Sequence, residues 1–370
     1  MAYWNVTFNP KINKTDPELI NLICQIEAQR IALSNIPLPP GIRKQFDSVN
    51  VVRQIKASTR IEGSTLSDKE VDEAIKKGFA ESSEEQEIIS AYNLHEHIVA
   101  TAEKDENVEI SDRLIKEFHS IITSGIDDPV YNPGNYRVKD LLVGKNHKPT
   151  KFEDVSKKMK EFLQYINSQE VLYYGSLIRA VVAHFYLVSI HPFQDGNGRT
   201  SRALEAYILY CGGYNQLGFY SLSNFYYRNY MKYFEELDNA RFSHNGNLMH
   251  FITFALTGFL EEIYAITSEA YVFIRRMMYK DYIIQLSASK MGKRGFDIAY
   301  YLLEYQGEEG GVPKDRINSD PFFSSLLRRI SEKTFSRDIK RLLDLELIKW
   351  ENDVLKVNLG IMGSSHDQSQ

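Results

Sequence analysis

Apolar residues recur at three-to-four spacing, without strand-like alternation, over residues 17–34, 43–60, 67–78, 84–103, 111–124 and 154–166, a pattern that predicts a succession of helices. Leu177, Ile178, Val181, Val182, Phe185 and Val188 fall on a segment so apolar that it reads as a central buried helix, ending just before His191. Another helix is predicted from about Gly198 to Tyr210, closed by Gly212 and Gly213, because glycine takes the left-handed conformation that ends helices. Between Gly134 and Phe152, the strip VKDLLVG followed by the polar KNHKPT predicts a small hairpin. The run from Leu248 to Leu260 is broken by Glu261 and Glu262 and falls short of the roughly 20 apolar residues of a spanning helix, so a buried helix is expected within a helical stretch from about 245 to 290. The small, basic segment SASKMGKRG suits a linker, with a further module from about 293, and the terminal GSSHDQSQ is too polar to pack.

Composition narrows this little. A chain of 370 residues, 43% hydrophobic, can bury a substantial core in two or three domains. A formal charge of −5 gives no global attraction to nucleic acid or anionic membrane. The two cysteines, Cys24 and Cys211, are far apart and outside any metal-ligand spacing, which argues against a disulfide framework or a zinc site and suits a reducing cytoplasm. The opening MAYWNVTFNPK lacks the basic flank and apolar run of a secretory signal. Neither export nor a membrane partner is expected.

The chemistry concentrates in HPFQDGNGRTSR, His191 to Arg202. A helix that begins at a glycine-rich loop aims free backbone amides at one spot, where the helix dipole favours an anion. Gly196 and Gly198 permit close approach, and Arg199 and Arg202, three apart in the first turn, share a face. Two cations there oppose the dipole, which is unfavourable structurally but suits a polyphosphate, since guanidinium forks bind phosphate oxygens strongly. Asp195 supplies a hard oxygen for Mg²⁺, which at phosphates needs only one or two carboxylates. His191, with an ordinary pKa of about 6.5, can take a proton from an attacking hydroxyl. Base, metal ligand and charge clamp are the parts of phosphoryl or nucleotidyl transfer. For His184, on the same apolar helix, a buried hydrogen-bonded role is favoured over a catalytic one.

The stretch resembles the signature of Fic domains, His-Pro-Phe-x-Asp-Gly-Asn-Gly-Arg-x-x-Arg, at every specified position. GNYR at 134–137 with the hairpin resembles the family's flap, and the helices from about 84 to 265 its α-helical core. The resemblance implies transfer of AMP from ATP to a Ser, Thr or Tyr hydroxyl of a protein. It implies His191 as general base and Asp195 as Mg²⁺ ligand. Asn197 with the amides around Gly196 and Gly198 would hold the α- and β-phosphates, Arg199 the β- and Arg202 the γ-phosphate. Phe193 would anchor the loop, and Tyr233 would lie in the adenine pocket. A target protein would dock by strand addition on the flap near Val138 to Val143. The branch resembling Doc toxins phosphorylates its target and has a degenerate second half of the motif; this chain keeps Gly198 and Arg202, which favours AMP transfer.

Upstream, STRIEGS places Ser58 and Glu62 at i, i+4 with Gly63 as a helix cap. It resembles the family's inhibitory motif, which implies that Glu62 pairs with Arg202 and denies it to the γ-phosphate. Near the C-terminus, ISEKTFSRDIKRLLDLELIKWENDVLKVNL reads as a helix from Lys333 to Leu345 and strands at 348–350 and 354–357, resembling a winged helix-turn-helix. Lys333, Arg337, Lys340 and Arg341 fall near one face and could meet DNA phosphates, but residues 293–358 hold twelve Lys plus Arg against twelve Asp plus Glu, so a solvated face or a protein-docking role is favoured over DNA binding.

The fold expected is therefore mainly α: an N-terminal helical region over 1–83, a Fic-type catalytic domain with a hairpin flap over 84–290, a winged-helix module over 293–358 and a disordered tail over 359–370. The function expected is a cytoplasmic, autoinhibited protein adenylyltransferase using ATP and Mg²⁺. Alternatives are another nucleotide donor, removal of AMP, or a winged-helix DNA-binding or docking regulator.

Overall fold

Helix boundaries in the computed structural model, which describes residues 3–4, 6–103, 109–125, 132–143, 148–305 and 310–363, follow capping chemistry written in the chain. Helix α1 (Pro17–Ser34) starts where the Asp16 carboxylate accepts from the Leu19 amide. After α2 (Pro40–Ile61), helix α3 (Asp68–Lys77) has a complete capping box, Ser67 with Glu70, and ends at a left-handed Gly78. Ser82 and Ser111 cap α4 (Ser83–Ala102) and α5 (Asp112–Ile122) by accepting from the Glu85 and Leu114 amides. Helices α6 (Val155–Ile166) and α7 (Gln169–Leu172) lead into α8 (Gly175–Ile190), whose residues from Leu177 onward are all buried. This is the predicted central helix. It packs on α9 (Asn197–Cys211), itself buried along most of its length, and α2, α4 and α5 surround that pair. Helices α10 (Ser223–Arg228) and α11 (Tyr230–Asp238) precede α12 (Met249–Leu286). Helix α12 is long and apolar enough to cross a membrane by length and composition, yet Phe251, Ile252, Ala255, Leu256, Phe259 and Ile263 are buried within the protein, as the buried-helix reading expects.

The chain forms two compact units, residues 1–267 and 268–370, a division that falls inside α12 and at neither 83/84 nor 290/293. In the second unit, α13 (Gly292–Glu304), α14 (Pro321–Leu327) and α15 (Glu332–Asp344) accompany a three-stranded antiparallel sheet of β1 (Val312–Pro313), β2 (Ile348–Glu351) and β3 (Val354–Val357) in the order β1-β3-β2. Val312 and Trp350 flank Leu355 across the sheet. Asn352 and Asp353 take positive φ, 51° and 59°, as a two-residue hairpin turn matching strand twist demands. Tyr279, Ile283, Ile298, Leu302, Phe323, Leu342 and Leu355 form this unit's core.

Three expectations are corrected or bounded. The linker SASKMGKRG is helical: residues 287–291 form a π turn and 292 opens α13, because Met291 is buried in the core and the face of Gly295 lies against Leu342. The tail is ordered at its start, where Leu359–Met362 form a 3₁₀ turn and Leu359, Ile361 and Met362 pack on the core; residues 364–370 lie outside the described residues. The turn of the hairpin flap, 144–147, also lies outside the described residues, and on either side of it only Val143 makes a β-bridge.

Candidate active site

Helix α8 stops because His191 turns left-handed, at φ 55° and ψ 61°. A non-glycine residue in that region carries a strain of roughly 1–2 kcal/mol and persists only when its surroundings hold it. Here the His191 amide donates to Leu187, its Nδ1 donates to the Val188 carbonyl at 3.0 Å, and its own carbonyl accepts from Arg137 Nε at 2.8 Å. With the proton on Nδ1, Nε2 keeps its lone pair, as a base must. Burial above all lowers the imidazole's pKa to about 4, helped by Arg241 and Arg137 and opposed by the Val188 hydrogen bond and, more weakly, by Glu62. The ring is therefore neutral and able to accept a proton from neutral pH down to about 4. Transfer should accordingly show an acid limb in kcat/KM below the ordinary histidine value of about 6.5, and a limb at or above that value would contradict the buried neutral base.

The loop after His191 is built inward. Phe193 is fully buried and stacks on His119 with ring centroids 3.7 Å apart and planes at 4°, the anchor expected of it. His119 was not singled out from sequence, yet it joins three segments. Its Nδ1 accepts from the Gly134 amide at 2.9 Å, its Nε2 donates to the Asp195 carbonyl at 3.0 Å, and burial chiefly lowers its pKa to about 4, consistent with a single neutral tautomer. Gly196, at φ 72°, takes a left-handed conformation that strains any other residue, and a Cβ there would crowd Thr123 Cγ2 at 3.1 Å. Arg137 of GNYR is a second residue that sequence reasoning passed over. Besides His191 it donates to the carbonyls of Lys139 and Thr150, and its amide bonds the Pro192 carbonyl at 2.9 Å. The flap's root is thus fixed to the motif loop. Val138 and Leu142 beyond it are exposed.

Asn197 departs from its expected part. Its side chain accepts from the Phe193 amide and donates to the Phe193 carbonyl, both at 2.9 Å, so its polar groups close the loop and face no phosphate. Asp195 keeps a half-exposed carboxylate, 3.8 Å from Arg199. Among the described residues no cluster of three or more His, Cys, Asp or Glu exists, so a resident protein-only metal cage is not indicated. One carboxylate oxygen donor beside an anion-binding helix start nevertheless fits Mg²⁺ that takes its other ligands from phosphates and water.

The two arginines face different carboxylates. Arg199 lies 3.3 Å from Glu87, whose pKa burial raises despite the pull of that guanidinium. Arg202, 2% exposed, donates from Nη2 to Glu62 Oε1 at 2.7 Å and to the Ser58 carbonyl at 2.9 Å, and from Nε to the Ser58 hydroxyl at 3.1 Å. Glu62 caps α2 and is followed by Gly63 at φ 107°, so the helix end anticipated from STRIEGS is where the carboxylate departs. A Cβ on Gly198 would sit 2.3 Å from Glu62 Oε1. The Glu62 carboxylate therefore lies over the first turn of α9, at the spot the helix dipole reserves for an anion.

Tyr233 does not fit an adenine platform. Its ring is 1% exposed and stacks on Tyr226 at 4.5 Å, and its hydroxyl bonds His184 Nε2 at 2.9 Å. An aromatic base needs an open ring face, and Tyr233 offers none. His184 is buried and hydrogen-bonded, as expected.

Residues 109–209 match the model of the Fic/DOC family. Curated relatives include the protein adenylyltransferase Fic of Aedes aegypti, 30% identical over 195 residues, covering 51% of this chain and 38% of the relative. That of Nematostella vectensis is 29% identical over 210 residues, covering 55% and 47%. The chain thus spans less than half the length of these relatives. Among solved structures, a Fic family protein from Desulfovibrio desulfuricans G20 superposes with TM-score 0.57 at 20% identity over 92% of this chain and 93% of its own. Fic-1 from C. elegans gives 0.54 at 23% identity over 69% and 73%. The helical core is accordingly a Fic fold.

Proposed function

We propose that this chain, whose residues 109–209 belong to the Fic/DOC family, is a protein adenylyltransferase that moves AMP from ATP to a hydroxyl side chain of a target protein and of itself, and that Glu62 restrains it. The observation that carries the reading is a Glu62 carboxylate lying on Arg202 over Gly198, a carboxylate in the position of a phosphate. In the active state ATP displaces it. Its γ-phosphate takes Arg202, its β-phosphate takes Arg199, and the amides opening α9 hold the α- and β-phosphates. A target hydroxyl gives its proton to His191 Nε2 as its oxygen bonds the α-phosphorus; the bond to the β-phosphate oxygen breaks, and pyrophosphate leaves. Asp195 would hold Mg²⁺, which would supply neutralisation of the developing charge.

The flap's exposed Val138 and Leu142, rooted beside His191 through Arg137, support docking of an extended target segment along 138–143. In the second unit we read α13, α14, α15 and the β2–β3 hairpin as a winged helix-turn-helix. The exposed Lys333, Arg337, Lys340 and Arg341 on α15 offer a contact for DNA or an acidic protein surface. Cys24 and Cys211 are free, in keeping with a cytoplasmic site of action. The test uses the full chain carrying Glu62→Gly, with Mg²⁺ and ATP labelled at either the α or the γ phosphate. Label on the protein from the α position alone is expected; label from the γ position would make it a kinase-like member.

A further inference from the structure

Glu62 and Ser58 both stand on the last two turns of α2, so whatever movement frees Arg202 from one also loosens the other. Arg202 has a further neighbour on a different element: the hydroxyl of Tyr233, on α11, is electrostatically coupled to its guanidinium. The direction of every bond beyond that contact is fixed. A guanidinium has only N–H groups, so towards it the Tyr233 oxygen can only accept, and the hydroxyl's own proton points to His184 Nε2 at 2.9 Å. His184 must then carry its proton on Nδ1, which donates to Glu205 Oε2 at 3.1 Å. The other oxygen of Glu205 accepts from the Tyr226 hydroxyl at 2.8 Å. Arg202 is 2% exposed, Tyr233 1%, and His184, Glu205 and Tyr226 are fully buried. The chain starts at a group that cannot accept and ends at a carboxylate, and each member between is satisfied in one sense only. Such a fully connected buried network holds its members in single rotamers.

We propose that Tyr233, oriented by His184 and Glu205, is the positioning residue that keeps the Arg202 guanidinium aimed at the γ-phosphate once Glu62 has withdrawn. This rests on the reading of Arg202 as the γ-phosphate ligand. An arginine released from Glu62 with no other anchor would have to be ordered again by each incoming nucleotide, weakening its grip; the α11 hydroxyl removes that cost in advance. Tyr233 on this view touches neither base nor phosphate.

The test is calorimetric binding, with Mg²⁺, of α,β-methylene ATP and α,β-methylene ADP, which cannot transfer their nucleotide, to the full chain carrying Glu62→Gly alone or with a second change. Glu62→Gly alone should favour the triphosphate. Adding Tyr233→Phe should cut that preference about tenfold, the order of one lost polar contact with a charged group, with diphosphate affinity unchanged. Tyr226→Phe keeps the ring that stacks on Tyr233, removes only a hydroxyl bonded to Glu205, and should keep the preference. His184→Gln, which retains an acceptor for the Tyr233 proton, should also keep it, and its loss there would overturn the proposed orientation even if Tyr233→Phe failed to fold. Equal loss for both nucleotides in Tyr233→Phe would mean a base contact or general loosening and would overturn the inference, as would an unchanged ratio. If Glu62→Gly alone shows no preference for the triphosphate, the γ-phosphate reading of Arg202 itself fails, a distinct result that takes this inference with it.

Discussion

Glu62→Gly should raise self-labelling from α-labelled ATP about 10- to 100-fold over the unmodified chain at limiting ATP, the range set by freeing one charge-assisted contact of roughly 1.5–3 kcal/mol. The contact to be freed is the 2.7 Å bond between Glu62 and Arg202. Two effects act together. The guanidinium becomes available, and the carboxylate that repels the triphosphate leaves the start of α9. The resting protein should meanwhile lose stability, because Arg202 stays 98% buried while its countercharge disappears. ATP should therefore raise the melting temperature of the variant more than that of the parent, since a ligand stabilises the state that binds it. Equal labelling and equal thermal response in the two proteins would remove Glu62 from the regulatory account.

The contact between Glu62 and Arg202 illustrates what the sequence makes legible. Ser58, Glu62 and Gly63 are local: their spacing sets a helix face and a helix end, and both appear as read. The reach of Glu62 to Arg202, 140 residues on, follows from no periodicity and came only from the resemblance of two motifs. The same distinction explains the misses. Asn197 lies in a motif rich in phosphate-binding chemistry, but a loop that turns at His191 and again at Gly196 leaves the Phe193 amide and carbonyl to be satisfied, and the nearest side chain able to serve both is Asn197. The place of Tyr233 in an adenine pocket follows from the resemblance alone; what buries it is packing against Tyr226 and His184 from other elements. His119 gave no signal at all, since a histidine on an amphipathic helix becomes a linchpin only when Phe193, Gly134 and Asp195 arrive around it. SASKMGKRG reads as a linker because every residue in it but Met291 is small or cationic, and it is helical because Met291 has a core to enter.

Replacing the base should have the largest effect of all. In the Glu62→Gly background, His191→Ala is expected to lower the rate of AMP transfer by about 10²- to 10⁴-fold, the usual contribution of a positioned general base, while leaving nucleotide affinity within about twofold. The split follows from the geometry. His191 holds its ring through Val188 and its backbone through Arg137, and the phosphate ligands proposed above, Arg199, Arg202 and the amides of α9, do not depend on the imidazole. Loss of the imidazole also removes the acid limb of the rate profile, so the residual activity of the double variant should not fall on acidification through about pH 4, where the parent's limb lies. Affinity and rate falling together would indicate that the left-handed turn at residue 191 needs the Val188 hydrogen bond to stay formed. Rescue of that turn by His191→Asn, whose side-chain amide can donate to the same carbonyl without offering a base, should then restore binding and leave transfer absent, separating the role of the imidazole in shaping the loop from its role in taking the proton.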